Sequence, residues 1–282
     1  MDILNDVDKF RLYRGLEIEI NNRIKLKPPT LREIVDEDYG EKKYFNFVNL
    51  LCAVGADLKW QLDDAGIDYT KIDDFELFCK FIAPSIDKKT SKIMFNDDLD
   101  FSAMKVFYNE KIQDFVLVQK IHNIKEVEVG NKWINKIRIL FHKPIKTKVS
   151  EEQYEIKIDR LAYLRMVAAL RYMHKTKRND ELPGNETTRR FFIEEAREDY
   201  EKAKNKDYKS QLFNIISTLV VTPGFKHDEK TVFDMNIVAF YDAVGRTQKV
   251  SQVDLLLQSG YSGFGINLKD IKKEELNKFA DL

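Results

Sequence analysis

Residues 112–118 read IQDFVLV and residues 133–141 read WINKIRILF, and these two runs decide the fold class of the chain. Both are rich in β-branched and aromatic side chains, which favour strands. Asn109-Glu110 and Gly130-Asn131 have the composition of hairpin turns. Residues 124–129 alternate between apolar and charged side chains, as a half-exposed strand does. We therefore predict an antiparallel β meander in the middle of the chain.

The segment before the meander combines a predicted hairpin with predicted helices. Apolar and charged residues alternate over 9–27, which predicts a β-hairpin. Thr30 is followed three positions later by Glu33, and this spacing is the capping box that opens a helix. Because Gly favours the position after a helix and Asp the position before one, further helices are predicted to end at Gly66 and to begin at Asp73.

The segment after the meander has a helical period. From about residue 151, apolar side chains recur at spacings near three and four. They are Tyr154, Ile158, Leu161, Leu164, Val167, Ala168 and Met173. Another helix is predicted over 185–205, with Phe191, Phe192, Ala196 and Tyr200 on its buried side. The remaining predicted helices are 212–221, 231–248, 251–259 and 272–280.

These elements follow one another in blocks and not in βα alternation, so we expect an α+β fold and not a doubly wound parallel sheet. The expected order is an N-terminal β-hairpin with helices (1–90), a central antiparallel β meander (91–148) and a mainly α-helical C-terminal half (149–282). The predicted boundary between the last two lies in 144–152, where strands give way to helices.

The composition is that of a soluble globular protein. The 282 residues include 47 Lys and Arg and 47 Asp and Glu, so the net charge is zero. Charges interrupt every stretch that is long enough to cross a bilayer, so we expect no membrane segment. Met1–Arg11 has no hydrophobic core, and we expect no secretory signal there. Cys52 and Cys79 have apolar neighbours and are expected to be buried free thiols in a reducing cytoplasm.

The sequence suggests no catalytic or metal-binding constellation. The aspartates at 63–64, 73–74 and 97–100 lack the spacing of a calcium loop, and we expect them to cap helices or turns. The histidines do not pair with each other or with cysteine at zinc spacing. His174 is expected near a helix end, where a cation suits the helix dipole. The glycine-rich run 260–265 lacks the pattern of a phosphate loop. We expect no enzyme, no cofactor and no metal.

A basic segment coincides with the second strand run. Residues 132–148 contain six cations and no acid, and the cations are Lys132, Lys136, Arg138, Lys143, Lys146 and Lys148. Together with Trp133 and Phe141, such a segment can follow a phosphate backbone and stack bases. The other interpretation, a strand whose Lys and Arg face water, is the one we favour because the net charge is zero. Nucleic-acid binding is kept as an alternative function.

Two groups of motifs resemble a known family. The first group is FRLYRG (10–15), IKLKPPTLREI (24–34) and YGEKKYF (39–45), and the second is FYDAVGRTQK (240–249), LLLQSGYSG (255–263) and KKEELN (272–277). Together they resemble proteins of the tail gene modules of phages and prophages of low-GC Gram-positive bacteria. Such proteins are described as tail assembly chaperones or tail morphogenesis proteins. The resemblance covers the two ends of the chain and not its β-rich middle.

The resemblance implies a non-enzymatic protein that binds other phage tail proteins in the cytoplasm of the bacterial host. Its partners would be the tape-measure protein or components of the tail tube or baseplate. A chaperone of this kind needs apolar grooves with charged rims. The candidate residues to line them are Tyr44, Phe45, Phe47, Phe240 and Tyr241. For each of these aromatic side chains taken singly, the alternative role of core packing is the one we favour. The alternative function is a structural tail or baseplate subunit, present in the virion. The sequence does not define an oligomeric state.

Overall fold

The structure is a computed structural model that describes residues 3–35, 40–128, 147–204, 206–261, 271–272 and 275–279. Its helices are α1 (Asp6–Tyr13), α2 (Leu31–Val35), α3 (Gly40–Cys52), α4 (Lys59–Asp64), α5 (Asp74–Leu77), α6 (Lys88–Ser91), α7 (Arg160–His174), α8 (Glu186–Lys204), α9 (Leu212–Val221) and α10 (Ile237–Tyr261). Its strands are β1 (Ile18–Glu19), β2 (Lys25–Leu26), β3 (Lys105–Asn109), β4 (Asp114–Glu128) and β5 (Thr147–Ile158). Short 3-10 or π turns cover Gly55–Leu58, Phe78–Ile82, Ala83–Ser85, Phe101–Ala103 and Thr231–Asp234. The predicted α+β class is confirmed.

Residues 6–13 form a helix, although the sequence predicted a strand from residue 9. The side chain of Asn5 caps α1 by accepting a hydrogen bond from the N–H of Asp8 at 2.8 Å. Within α1, Leu12 is fully buried and Phe10 is 64% exposed, as on two sides of an amphipathic helix. The hairpin is confined to β1 and β2. The prediction of a hairpin over 9–27 is therefore wrong for its first half.

The predicted caps are confirmed. The carboxylate of Glu33 accepts from the N–H of Thr30 at 2.7 Å, and the hydroxyl of Thr30 accepts from the N–H of Glu33 at 3.2 Å. Asp73 accepts from the N–H of Phe75 at 3.0 Å and opens α5. Gly66 follows α4 with a φ of +71°, the left-handed conformation that only Gly adopts readily. Each of these contacts spans at most three residues, so the local sequence could define it.

The central sheet is antiparallel with the strand order β3-β4-β5, so an antiparallel meander is present. The strands predicted at 112–118 and 124–129 are, however, one continuous strand, β4. The prediction that the chain is helical from residue 151 is wrong. β5 pairs with β4 from Glu128–Thr147 to Leu117–Ile158, and the helix begins only at Arg160. The predicted strand 133–141 and the turn at 130–131 lie outside the described residues. The division at 1–90, 91–148 and 149–282 stays a prediction.

Helix α7 connects the sheet to the N-terminal helices. Its buried residues are Ala162, Tyr163, Met166, Val167, Ala169, Leu170, Met173 and His174. At its first turn, the guanidinium of Arg160 donates two hydrogen bonds to Asp114, at 2.6 and 3.0 Å, and one to Asp73 at 2.9 Å. One turn further, Arg165 donates to the buried carboxylate of Asp8 at 2.8 Å. These contacts join β4, α5 and α1 to one helix.

Two of the predictions for the C-terminal helices need correction. In α8, Ile193 is buried, whereas Phe191 and Tyr200 are 58% and 47% exposed, so the predicted buried side is wrong for these two aromatics. The two helices predicted over 231–259 are one continuous helix, α10, preceded by a 3-10 turn. Residues 275–279 form turns and not the predicted last helix. Helix α9 coincides with the predicted helix 212–221.

The N-terminal and C-terminal parts of the chain meet where α2 and α10 begin. The N–H of Leu31 donates to the carbonyl of Met235, and the N–H of Ile237 donates to the carbonyl of Pro29, both at 2.9 Å. These bonds flank an antiparallel bridge between Thr30 and Asn236. A short backbone pairing therefore fixes the start of α2 against the start of α10.

Candidate protein-binding groove

An apolar groove of about 360 Å³ runs along α9. It lies between this helix, the end of α2 and the 3-10 turn Thr231–Asp234. The residues that line it are Val35, Glu41, Ser210, Leu212, Phe213, Ile216, Ser217, Val220, Val221, Glu229 and Phe233. We call it the α9 groove. Its volume lies within the range of ligand-binding clefts, about 300–1,000 Å³.

Helix α9 is apolar on more than one side. Leu212 and Leu219 are buried against the core, whereas Phe213 and Val221 are 69% and 76% exposed. The ten residues of α9 include no charged side chain. A helix that is apolar all round is normally buried on all sides. Because α9 is buried on one side only, it leaves apolar surface available beside the groove.

The start of α9 is held by a carboxylate from α3. Glu41 accepts hydrogen bonds from the hydroxyl of Ser210 and from the N–H groups of Gln211 and Leu212, at 2.5, 2.5 and 3.0 Å. These N–H groups have no acceptor within the helix, and a negative charge at this end also suits the helix dipole. Burial and a hydrogen bond to Glu41 raise the pKa of Tyr208 to about 12. The groove therefore has a fixed wall on the α3 side.

The opposite wall is fixed by the 3-10 turn. The side chain of Asp228 accepts from the N–H of Thr231 at 2.8 Å and orders the start of the turn. At its end, Asp234 accepts from the guanidinium of Arg32 on α2 at 2.9 Å. Phe233, between these contacts, is partly buried and faces the groove. The groove is thus framed by contacts within the chain.

The chemistry of the α9 groove favours binding of an apolar segment. Aliphatic and aromatic side chains form most of its lining, and two serines and the carboxylates of Glu41 and Glu229 form the rest. Burial of apolar surface contributes about 25 cal/mol per Å². A partner that places apolar side chains in the groove and a cation beside Glu229 would match both features.

The aromatic residues predicted to bind partners lie elsewhere. Tyr44, Phe45, Phe47 and Phe240 are 0–6% exposed. They pack in the core and do not line an open groove, so for these four the alternative role of core packing is the one observed. Tyr241 is partly buried, and burial raises its pKa to about 12. None of the five lines the α9 groove.

The core also contains a buried tyrosine–histidine pair. The hydroxyl of Tyr44 lies 2.6 Å from Nε2 of His174, and Nδ1 of His174 lies 2.7 Å from the carbonyl of Leu170. Burial lowers the pKa of His174 to about 4. The side chain is therefore neutral at pH 7, and the prediction of a cation that suits the helix dipole is wrong.

The two cysteines are free, as predicted, but of the two only Cys79 is fully buried, so the predicted burial is wrong for Cys52. Burial raises the pKa of the Cys52 thiol to about 11 and that of the Cys79 thiol to about 12. Neither is activated as a nucleophile, because activation requires a lowered pKa. Within the described residues, no group of three His, Cys, Asp or Glu side chains could hold a metal ion. In the same part of the chain, no helix is long and apolar enough to span a membrane.

The residues of the basic segment, the alternative site, are not in the described part of the chain. Lys132, Lys136, Arg138, Lys143 and Lys146 fall within 129–146, which the structure does not describe. Lys148 belongs to β5, but its side chain is not described either. Nucleic-acid binding by this segment stays a prediction.

Sequence reasoning missed the α9 groove, although one signal was present. Residues 212–221 form a helix-length run without a charge, and a run of this kind is either buried on all sides or available for binding. The wall formed by Val35 and Glu41 comes from about 180 positions earlier in the chain, and no local pattern connects these residues with α9. No significant match was found to any protein-family model, curated protein or solved structure.

Proposed function

We propose that this chain is a non-enzymatic phage tail morphogenesis protein that resembles tail assembly chaperones and binds other tail proteins in the host cytoplasm. The resemblance of its terminal motifs supports the phage context. The α9 groove supports the mode of action, because an open apolar groove with carboxylates at its edge suits a partner helix better than a small polar substrate. The groove is the observation that carries the proposal.

Phe213 is the expected anchor of the interaction. It lines the groove, it is 69% exposed, and aromatic residues dominate the energetics of protein interfaces. A tape-measure protein or a tail tube or baseplate component would place an amphipathic helix along α9. Its apolar side chains would cover Phe213 and Val221, and a Lys or Arg would lie close to Glu229.

Co-expression with the neighbouring tail proteins tests the proposal. The wild-type chain and a Phe213→Glu variant are each purified by an affinity tag, and the co-eluting tail protein is quantified. Phe191→Glu is the matched control, because Phe191 is a similarly exposed phenylalanine on α8, outside the groove. Loss of a central interface anchor weakens binding by at least 2 kcal/mol, or about 30-fold. We expect this loss for Phe213→Glu and wild-type recovery for Phe191→Glu.

The outcomes separate the possible roles. If no tail protein co-elutes with the wild-type chain or gains solubility from it, the chaperone role is wrong. If both variants bind equally well, a tail protein is the partner but the α9 groove is not its site. Mass spectrometry of purified virions is expected to find no copy of this chain. A fixed copy number there would instead identify a structural tail or baseplate subunit.

A further inference from the structure

Strand β3 lies at an edge of the central sheet and is open to solvent. It pairs with β4 on one side, and no strand among the described residues pairs with its other side. All five of its residues are exposed. The exposed fraction is 38% for Val106, 49% for Phe107 and 57% for Tyr108. An edge of this kind presents unpaired backbone N–H and C=O groups together with apolar side chains.

Natural proteins usually protect such an edge. Proline, several lysines, an inward-pointing charge or a bulge prevents the addition of another strand. β3 reads KVFYN, with no proline and with one charged residue, Lys105, at its first position. Its register with β4 is continuous from Lys105–Val118 to Asn109–Asp114, without a bulge. The edge therefore lacks these protective features and suits pairing with another strand.

We propose that β3 pairs with β3 of a second copy of this chain, antiparallel and with a two-fold axis at Phe107. This arrangement joins the two three-stranded sheets into one sheet of six strands. Its interface is isologous, as in most symmetric dimers. The paired residues follow directly from the register: Phe107 lies opposite Phe107, Val106 opposite Tyr108, and Lys105 opposite Asn109.

These are favourable cross-strand pairs. Aromatic residues opposite one another, and aromatic residues opposite β-branched ones, each stabilise a sheet by roughly 0.2–1 kcal/mol. The proposed register gives one Phe107–Phe107 pair and two Val106–Tyr108 pairs. Phe107 is the middle residue of the five, so a two-fold axis at Phe107 pairs all of them. Any shift of this antiparallel register leaves at least one residue unpaired.

The charges agree with the same register. Lys105 would lie opposite the uncharged Asn109 of the second copy, so no like charges meet. The strand ends at Asn109, so Glu110 and Lys111 lie beyond the five paired residues.

The outer face of the sheet adds apolar surface to the interface. Phe107, Val116 and Val118 line an open groove of about 690 Å³ on this face. Phe107 and Val116 are opposite each other in the β3–β4 register and therefore share a face. In the proposed dimer, the two Phe107 rings meet on this face, so the apolar surface continues from one copy into the other. A strand of five residues is short, so we expect the association to depend on protein concentration.

The mass of the protein in solution tests the pairing. Light scattering during size exclusion is expected to give 33.2 kDa for the dilute chain and twice that mass when it is concentrated. Phe107→Lys places two like charges at the two-fold axis and is expected to abolish the dimer. Phe191→Lys makes the same substitution at an exposed phenylalanine on α8 and is expected to leave the dimer intact. A wild-type chain that remains monomeric at every concentration overturns the proposal, and so does a dimer that Phe107→Lys leaves unchanged.

Cysteine cross-linking tests the register. In an antiparallel pair, opposite Cα atoms lie about 4.5–5.5 Å apart, which a disulfide can bridge. Phe107→Cys is therefore expected to give a covalent dimer on mild oxidation. Lys105→Cys is the control, because the two copies of residue 105 would be about 13 Å apart. The wild-type chain, which has only the buried Cys79 and the partly buried Cys52, shows how much cross-linking the native cysteines give. Cross-linking at residue 105 and not at residue 107 would show a different pairing and refute this register.

Discussion

The buried pair of Tyr44 and His174 makes stability depend on pH in a way that can be measured. A carbonyl oxygen only accepts hydrogen bonds, so Nδ1 of His174 must carry the proton that it shares with Leu170. Nε2 is then unprotonated and accepts from the hydroxyl of Tyr44 at 2.6 Å. Protonation of Nε2 would create a charge in the core, and Nε2 could then no longer accept a hydrogen bond from Tyr44.

The magnitude follows from the shift of the pKa. Burial lowers the pKa of His174 from 6.5 to about 4 in the folded chain. One pKa unit corresponds to about 1.4 kcal/mol, so the full shift corresponds to about 3 kcal/mol. Because the folded pKa is the lower one, the unfolded chain binds the proton first as the pH falls. The contribution of neutral His174 to the free energy of unfolding is complete above about pH 6.5, and it is lost as the pH falls through about 4.

Urea unfolding over this pH range checks the expectation. The free energy of unfolding is measured for the wild type and for His174→Gln from about pH 7 to pH 4. Contributions from the carboxylates are common to both proteins and cancel in the difference. We expect the wild type to lose about 3 kcal/mol more than the variant over this range.

Tyr44→Phe is the matched control. It removes the hydroxyl and about 1 kcal/mol of stability at pH 7, but it keeps the buried imidazole. We therefore expect its pH dependence to follow that of the wild type and not that of His174→Gln. Parallel curves for the wild type and His174→Gln would refute the reasoning, because they would show that His174 does not titrate with a lowered pKa.

Two further predictions concern backbone packing and an ion pair. A Cβ at Gly55 would lie well inside the contact distance of the carbonyl oxygen of Tyr69, so Gly55→Ala is expected to destabilise the fold by about 1–3 kcal/mol in thermal unfolding. Gly184→Ala, with nothing within 4 Å of its Cβ, is the control and is expected to have no effect. Arg160→Met removes the paired hydrogen bonds to Asp114 and is expected to destabilise by about 1 kcal/mol, since the guanidinium is partly exposed. This difference should shrink at high salt, and an unchanged difference would contradict an ionic origin.

The features that the sequence could define are those with short-range causes. The capping box of Thr30 and Glu33, the cap at Asp73 and the glycine after α4 each depend on a few neighbouring residues, and the structure has all three. Burial of Cys79 was predictable for the same reason, because its neighbours in the sequence are apolar. Local geometry and local hydrophobicity were sufficient to predict the caps, the glycine after α4 and the burial of Cys79.

The errors have causes that lie far away in the sequence or in a competing local signal. Residues 151–158 alternate weakly and also fit a helical period, but they pair with β4 along their whole length and form a strand. In the N-terminal part, the cap provided by Asn5 favours a helix, although apolar and charged residues then alternate as they do in a strand. The α9 groove depends on Glu41 and Val35 meeting a helix that begins at Leu212. The strand pairing and the meeting of α2 and α3 with α9 leave no local pattern, whereas the cap at Asn5 is a local signal that competes with the alternation.

The backbone pairing between Leu31 and Met235 has a consequence for synthesis of the protein on the ribosome. Residues 29–32 are translated early, but the residues to which they bind are translated about 200 positions later. At about 5–20 residues per second, the first helices wait about 10–40 s for these partners. This pairing therefore forms only when the nascent chain has passed residue 237. A ribosome that stalls before this point would carry an N-terminal segment that lacks these contacts and is more accessible to proteases.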